Sequence, residues 1–170
     1  MELWDVYDEN RIPLGKTHVR GVPMKKGEYH LVVFVWVFNS RGELLLTKRS
    51  PEKRSFPNKW DPTGGAVQAG ENSLQAVQRE LLEETGIHAA QSEFEWIGSY
   101  RRTGKNDIGD IYFLRSDVDV DELVMQEGET CGAMWVSRQE LERMIAQDMV
   151  AKPDVLRYRQ LQEKLIGYLK

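Results

Sequence analysis

Between residues 65 and 87 the chain reads GAVQAGENSLQAVQRELLEETGI. Gly65, Glu71, Arg79, Glu80, Leu81, Glu83, Glu84, Gly86 and Ile87 fall there on the spacing G-x5-E-x7-R-E-U-x-E-E-x-G-U, with U a bulky aliphatic residue. At ordinary residue frequencies nine such positions agree by accident with a probability on the order of 10⁻⁹ per starting point, so the pattern is not a coincidence of composition. Glu80, Glu83 and Glu84 stand at i, i+3 and i+4, where carboxylates on a helix repel one another. Arg79 brings one positive charge against three negative ones. A divalent cation with a preference for hard oxygen, with Mg²⁺ as the natural candidate, would neutralise the cluster and keep coordination positions for phosphate oxygens. The chemistry that such a group supports is the holding of a metal ion against substrate phosphate.

These side chains need a helix to hold them. Asn72 is placed to cap one that starts at Ser73, with Gln75 in its third position; Gly86 suits the left-handed residue that ends it, and Ile87 can pack back afterwards. At about 100° per residue Glu80, Glu83 and Glu84 fall within an arc of about 100°, beside an apolar stripe of Leu74, Val77 and Leu81.

Around the helix the pattern is that of strands. Residues 29–38 (YHLVVFVWVF) are apolar at nearly every position, as in a central strand covered on both faces. The turn at 39–42 and residues 43–47 complete a hairpin, and 50–59 have loop composition. Residues 94–100 and 110–114 read as strands joined by the polar stretch 101–109, and 133–136 as a short strand. Residues 3–7 form a further short strand followed by the turn-forming Asp8-Glu9-Asn10. Ser137 with Glu140 makes a capping box for a helix to about Gln147. Pro153, Val155, Leu156, Leu161, Leu165 and Leu169 predict a C-terminal helix. Strands on both sides of a central helix, with more helices at the end, predict an α/β fold, a mixed β-sheet sandwiched between helices in α/β/α layers, as one domain over residues 1–170.

The 65–87 segment resembles the Nudix box at every defining position, and the order of elements resembles the Nudix fold over most of the chain. The resemblance implies a Nudix-type α/β/α sandwich and hydrolysis of a nucleoside diphosphate linked to another moiety, X, with Mg²⁺ or Mn²⁺. It makes Glu80, Glu83 and Glu84 metal ligands, with the carbonyl of Gly64 or Gly65 in the same shell, and Glu71 and Arg79 an orienting ion pair. The proton acceptor is Glu84 or a residue of a later loop, where Glu129 resembles a family glutamate that binds metal or acts as base.

The opening LWDVYDENRIPLGKTHVRG, the strand pair YHLVVFVWVFNSRGELLLTKRS and the loop FPNKWD resemble the Nudix subgroup related to isopentenyl diphosphate isomerase. That isomerase uses an acidic cysteine after the loop tryptophan and histidine metal ligands. Here Trp60 is followed by Asp61-Pro62-Thr63-Gly64, and Ala66 stands where a ligand histidine is expected. An isomerase-like enzyme and a non-catalytic nucleotide-sensing domain are the alternatives to hydrolysis. His18, expected in a loop, His30, at a strand start, and Cys131, in a loop, read as structural residues before they read as metal or catalytic groups. Arg101, Arg102 and Lys105 read as a solvated turn before a phosphate site, and Phe56 and Trp60 as packing before base stacking.

The 170 residues suffice for one substantial core, and 41% hydrophobic with 29% charged residues is a globular balance. A formal net charge of −4 argues against a nucleic-acid polymer as partner and leaves a small-molecule diphosphate bridged by metal. The single cysteine fits a reducing compartment. The first residues lack the basic start and apolar stretch of a signal peptide, and the longest apolar run, residues 31–38, is too short to span a bilayer. The expectation is a cytoplasmic protein without membrane contact, with a homodimer left open.

Overall fold

The computed structural model describes residues 1–102 and 104–170; Thr103, inside the expected connection 101–109, lies outside the described residues. In chain order the elements are β1 (Leu3–Tyr7), β2 (Pro13–Val19), β3 (His30–Phe38), β4 (Leu44–Arg49), β5 (Trp60–Asp61), β6 (Thr63–Ala66), α1 (Ser73–Thr85), β7 (Glu95–Arg101), β8 (Asp107–Arg115), β9 (Thr130–Val136), α2 (Arg138–Ala146) and α3 (Lys152–Leu165). The chain resolves into two compact units. One comprises Met1–Val35, Gly64–Glu80 and Ala89–Phe113, the other Trp36–Thr63, Leu81–His88 and Leu114–Lys170.

In the first unit β1 and β2 form an antiparallel ribbon with a shift of register between Asp5 and Tyr7. β2 was not expected. Its PLGKTHV sequence has no alternation of apolar and polar residues, because five of its seven residues are exposed, and its strand conformation comes from pairing with β1. His18 therefore lies in a strand and not in a loop. The ribbon holds the segment leading to α1: the Ala69 amide donates to the Leu3 carbonyl at 2.8 Å and the Gly70 amide to Asp5 Oδ2 at 2.8 Å. β3 has β8 and β6 among its hydrogen-bonded neighbours, and β7 pairs antiparallel with β8. β8 starts three residues earlier than expected, because Arg102 forks onto the Asp107 carboxylate and Ile108 pairs with Arg101. The connection is correspondingly shorter.

α1 begins where the capping pattern put it. The Gln75 amide donates to Asn72 Oδ1 and the Asn72 amide to Gln75 Oε1, both at 2.9 Å, a reciprocal capping box. Ala76 and Val77 are fully buried, whereas Leu74 is only half-buried. The buried stripe in this unit thus runs through Ser73, Ala76 and Val77, rotated away from the stripe expected through Leu74.

In the second unit the same helix buries Leu81 and Thr85 completely. Gly86 has φ +74, the left-handed geometry that glycine adopts without strain, and Ile87 is buried after it. β4 pairs with β9 along its length and with β5 at Thr47 and Lys48, and Phe38 faces Leu44 across the hairpin. β9 begins at Thr130, three residues before the expected strand, because the pairing with β4 continues to Arg49. Cys131 is therefore in a strand, where its exposed thiol donates to the Arg49 carbonyl at 3.6 Å. α2 is capped by Ser137, whose Oγ accepts from the Glu140 amide at 3.2 Å. α3 buries Asp154, Arg157, Tyr158, Leu161 and Leu165, while Leu156 is 66% exposed. At about 100° per residue Leu156 lies opposite the face that Leu161 and Leu165 share with the Asp154–Arg157 ion pair.

Candidate metal centre

β6 and the loop after it bring glycine backbone against α1. A Cβ on Gly65 would land on the Glu80 carboxylate, so only a bare backbone lets the two approach. Gly64 is tight for a different reason: a Cβ there would meet the Val33 carbonyl oxygen and the Phe34 ring.

Arg79 is the hub of the acidic group in the first unit. Its Nε donates to Glu71 Oε1 at 2.7 Å and its Nη2 to Glu71 Oε2 at 2.9 Å, a bidentate fork. Nη1 donates to Glu80 Oε1 at 2.8 Å and Nη2 also to the Ala66 carbonyl at 3.1 Å. Glu71 Oε2 in turn accepts from the Gln68 amide at 3.0 Å. One guanidinium thereby ties together the loop, the strand end and the helix. The Arg79 hydrogen bonds hold the Glu71 carboxyl below its ordinary range against the opposing effect of burial, and the same bonds raise the already high pKa of Arg79.

Along α1 the helical rotation of about 100° per residue puts Glu80 and Glu84 beside the buried stripe and Glu83 on its outer side. Burial follows that order: Glu80 and Glu84 are half-buried and Glu83 is exposed. In the second unit the Glu84 carbonyl accepts from Thr130 Oγ1 at 3.2 Å, and the carboxylate of the preceding Glu129 pairs with Lys53. The structure thus brings Glu71, Arg79, Glu80 and Gly65 together in one unit, and ties the Glu129 turn to the end of α1 at Glu84 in the other.

Among the described residues, no three His, Cys, Asp or Glu side chains are gathered into a ready-made cage. The donor chemistry nevertheless fits a hard divalent cation: carboxylates are repeated on one side of a helix, with peptide backbone packed directly on the Glu80 carboxylate at Gly65.

Several other groups have structural surroundings. His30 stacks on Trp4 with ring centroids 3.9 Å apart, and burial lowers its pKa; His18 stands 6.3 Å from the same ring. Trp60 is buried in β5, with its amide bonded to the Met149 carbonyl and its carbonyl to the Ala151 amide, so it is a packing residue; Phe56 is 40% exposed. Arg101 ends β7, pairs with Glu9 at 3.4 Å and lies over the Tyr29 ring, and Arg102 pairs with Asp107. Lys105 lies in the connection, its amide bonded to the Arg102 carbonyl.

Two features escaped the sequence reading. Arg49 Nη1 pairs with Asp61 Oδ2 at 2.7 Å, and Asp154 with Arg157 on α3. Burial, reinforced by Asp154, pushes the Asp61 carboxyl up to about 7 against the pull of Arg49 and Arg157. The other is Lys53. Lys53 and Glu129 stand 76 positions apart and Asp61 feels Asp154 from a different element, so local spacing signals neither contact.

A NUDIX domain model matches residues 28–158. A Nudix hydrolase of Listeria monocytogenes is 40% identical over 145 residues, covering 85% of each chain. A crystal structure from Deinococcus radiodurans superposes with a TM-score of 0.75 at 28% identity, covering 99% of this chain and 100% of that one. The isopentenyl-diphosphate Delta-isomerase of Pectobacterium atrosepticum is 35% identical over 122 residues, 68% of this chain and 66% of that protein. The expected α/β sandwich with a mixed sheet is the fold of these relatives.

Proposed function

The chain belongs to the Nudix family and is a Nudix hydrolase, and from that premise we propose that it hydrolyses the pyrophosphate bond of a nucleoside diphosphate linked to another moiety, with Mg²⁺ or Mn²⁺ as cofactor. The reading takes residues 1–170 as one catalytic domain working on a small molecule, and not on a nucleic-acid polymer, in the cytoplasm. No helix among the described residues is long and apolar enough to cross a membrane.

One observation carries the proposal. Arg79 clamps Glu71 with both arms and steadies Glu80, whose carboxylate lies on the bare backbone of Gly65. Glu80 leads the side of α1 that also presents Glu83 and Glu84. Glu80, Glu83 and Glu84, with the carbonyl of Gly64 or Gly65, would hold the cation. When bound it supplies charge neutralisation and Lewis acidity at the phosphoryl oxygens.

The protein's own groups then have distinct tasks. Glu71 and Arg79 fix the backbone approach and the orientation of Glu80. Water forms a bond to one phosphorus while the bridging P–O bond breaks, and the leaving phosphate departs with that electron pair. Glu84 or Glu129 takes the proton of the attacking water.

The isomerase reading draws on the similarity to the Pectobacterium enzyme. It lacks its acid here, since the residue after Trp60 is Asp61, a buried carboxyl paired with Arg49. Nucleotide sugars, dinucleoside polyphosphates, nucleoside triphosphates and coenzyme diphosphates, each incubated with the enzyme and Mg²⁺ or Mn²⁺, form the test panel. Phosphate-containing products from at least one class are expected. A silent panel, or conversion of isopentenyl diphosphate to its dimethylallyl isomer, would overturn the reading.

A further inference from the structure

Lys53 lies in the loop between β4 and β5, in a polar stretch whose composition assigns it no task. Its side chain is only 20% exposed, and its ammonium rests on the Glu129 carboxylate. The contact belongs to a wider clasp. The Ser50 amide donates to the Glu129 carbonyl at 2.9 Å, and the Lys53 amide donates back to the Ser50 carbonyl at 3.2 Å, folding the loop over the Glu129 turn. On the other side the amides of Glu129 and Thr130 both donate to the Gln126 carbonyl, at 3.1 and 3.0 Å, and Thr130 Oγ1 reaches the Glu84 carbonyl at 3.2 Å. Glu129 is thus fixed through its own carbonyl, its carboxylate and its neighbour's bond to α1.

A glutamate in a polar turn ordinarily samples many rotamers. Here a largely covered cation selects one of them, and the backbone on which it acts is tied to the helix that carries Glu84.

We propose that Lys53 is a positioning residue: it aims the Glu129 carboxylate toward the reacting water beside the end of α1. The inference rests on Glu129 being the proton acceptor. It predicts that misplacing this one side chain slows turnover by about ten- to a hundredfold, the scale expected when a catalytic group is shifted by about 1 Å.

The test uses the full chain and four variants: Lys53→Met, Lys53→Arg, Glu129→Gln and the Lys53→Met/Glu129→Gln double. Without substrate, hydrogen exchange at the amides of residues 128–130 should speed up in Lys53→Met and return toward wild type in Lys53→Arg. Unchanged exchange in Lys53→Met would overturn the clasp whatever the activity shows. With the best substrate of the panel, Lys53→Met should lower kcat with KM changed less than about threefold, and Lys53→Arg should recover most of it. The double variant should be no slower than Glu129→Gln alone, because residues acting through one group are not additive. A rise in KM at constant kcat, or penalties that multiply, would overturn the positioning role. If Glu129→Gln turns over like wild type, the proton-acceptor assignment falls and takes this inference with it. If Glu129→Gln is slow while Lys53→Met is normal, only the inference falls.

Discussion

Arg79 gathers Glu71, Glu80 and the Ala66 carbonyl in one place, and its planar fork is what lets it do so. It spans both oxygens of Glu71 while keeping an arm for Glu80. A lysine has the charge without that geometry. Arg79→Lys is therefore expected to keep the fold but release Glu80, weakening Mn²⁺ binding, read by paramagnetic resonance, by tenfold or more, the scale found for groups that orient metal ligands. Equal affinity in the two proteins would show that the fork has no orienting role. Asp61 offers a test independent of catalysis. Its folded pKa of about 7 lies above the ordinary aspartate value of 3.8, so folding takes up a proton between those limits. The stability from this group is fully present below about 3.8 and is lost as pH rises through about 7. Denaturant titrations of wild type and Asp61→Asn should show the wild type losing ground to the variant as pH rises from 4 to 8, by at most roughly 1.4 kcal/mol per unit. Parallel curves would exclude the shift.

At the scale of elements, β6 and α1 form the working pair, and their two adjacent glycines separate fold from function. Gly64→Ala drives a Cβ into the Val33 carbonyl and the Phe34 ring, which cannot swing away freely. It should cost about 1–3 kcal/mol of stability by denaturation. Gly65→Ala meets only the end of the Glu80 side chain, so thermal stability should stay close to wild type while kcat falls. The opposite pattern would misplace both roles. Helix α1 was legible in detail because its signals are local: the Asn72 and Gln75 capping box and the Gly86 stop lie within a few residues of the ends they define. β2, the early starts of β8 and β9 and the burial of Asp154 and Arg157 were not. The start of β9 depends on β4 and the charged face of α3 on the Asp61–Arg49 pair, both distant in sequence, whereas β2 and the start of β8 are set by pairing with a neighbouring strand rather than by their own residue pattern. Leu156 helps to mark α3 as a helix by composition, yet it is exposed because helical rotation puts it on the side opposite Leu165.

For the whole molecule, the likeness to a Deinococcus radiodurans structure over nearly the full length and to a Listeria Nudix hydrolase over 85% of the chain places the acidic helix in a family setting. The resemblance to isopentenyl diphosphate isomerase noted from the flanking segments corresponds to a relative that matches 68% of this chain. The candidate site divides in the same way as the fold. Glu71, Arg79, Glu80, Glu83 and Glu84 could be named from spacing, because one helix and its approach loop carry them all. Lys53 and Thr130 could not, because their contacts with Glu129 and Glu84 close only in three dimensions. Cleavage of a diphosphate by the α1 carboxylates together with a divalent cation is tested by one side-by-side assay. Wild type and Glu84→Gln are followed for phosphate-containing products on the best substrate of the panel, with Mg²⁺ present and after chelation. Wild type should turn over with Mg²⁺ and not after chelation, and Glu84→Gln should be slower by about two to four orders of magnitude. Comparable rates in the variant, or undiminished hydrolysis after chelation, would contradict that joint role of carboxylates and cation.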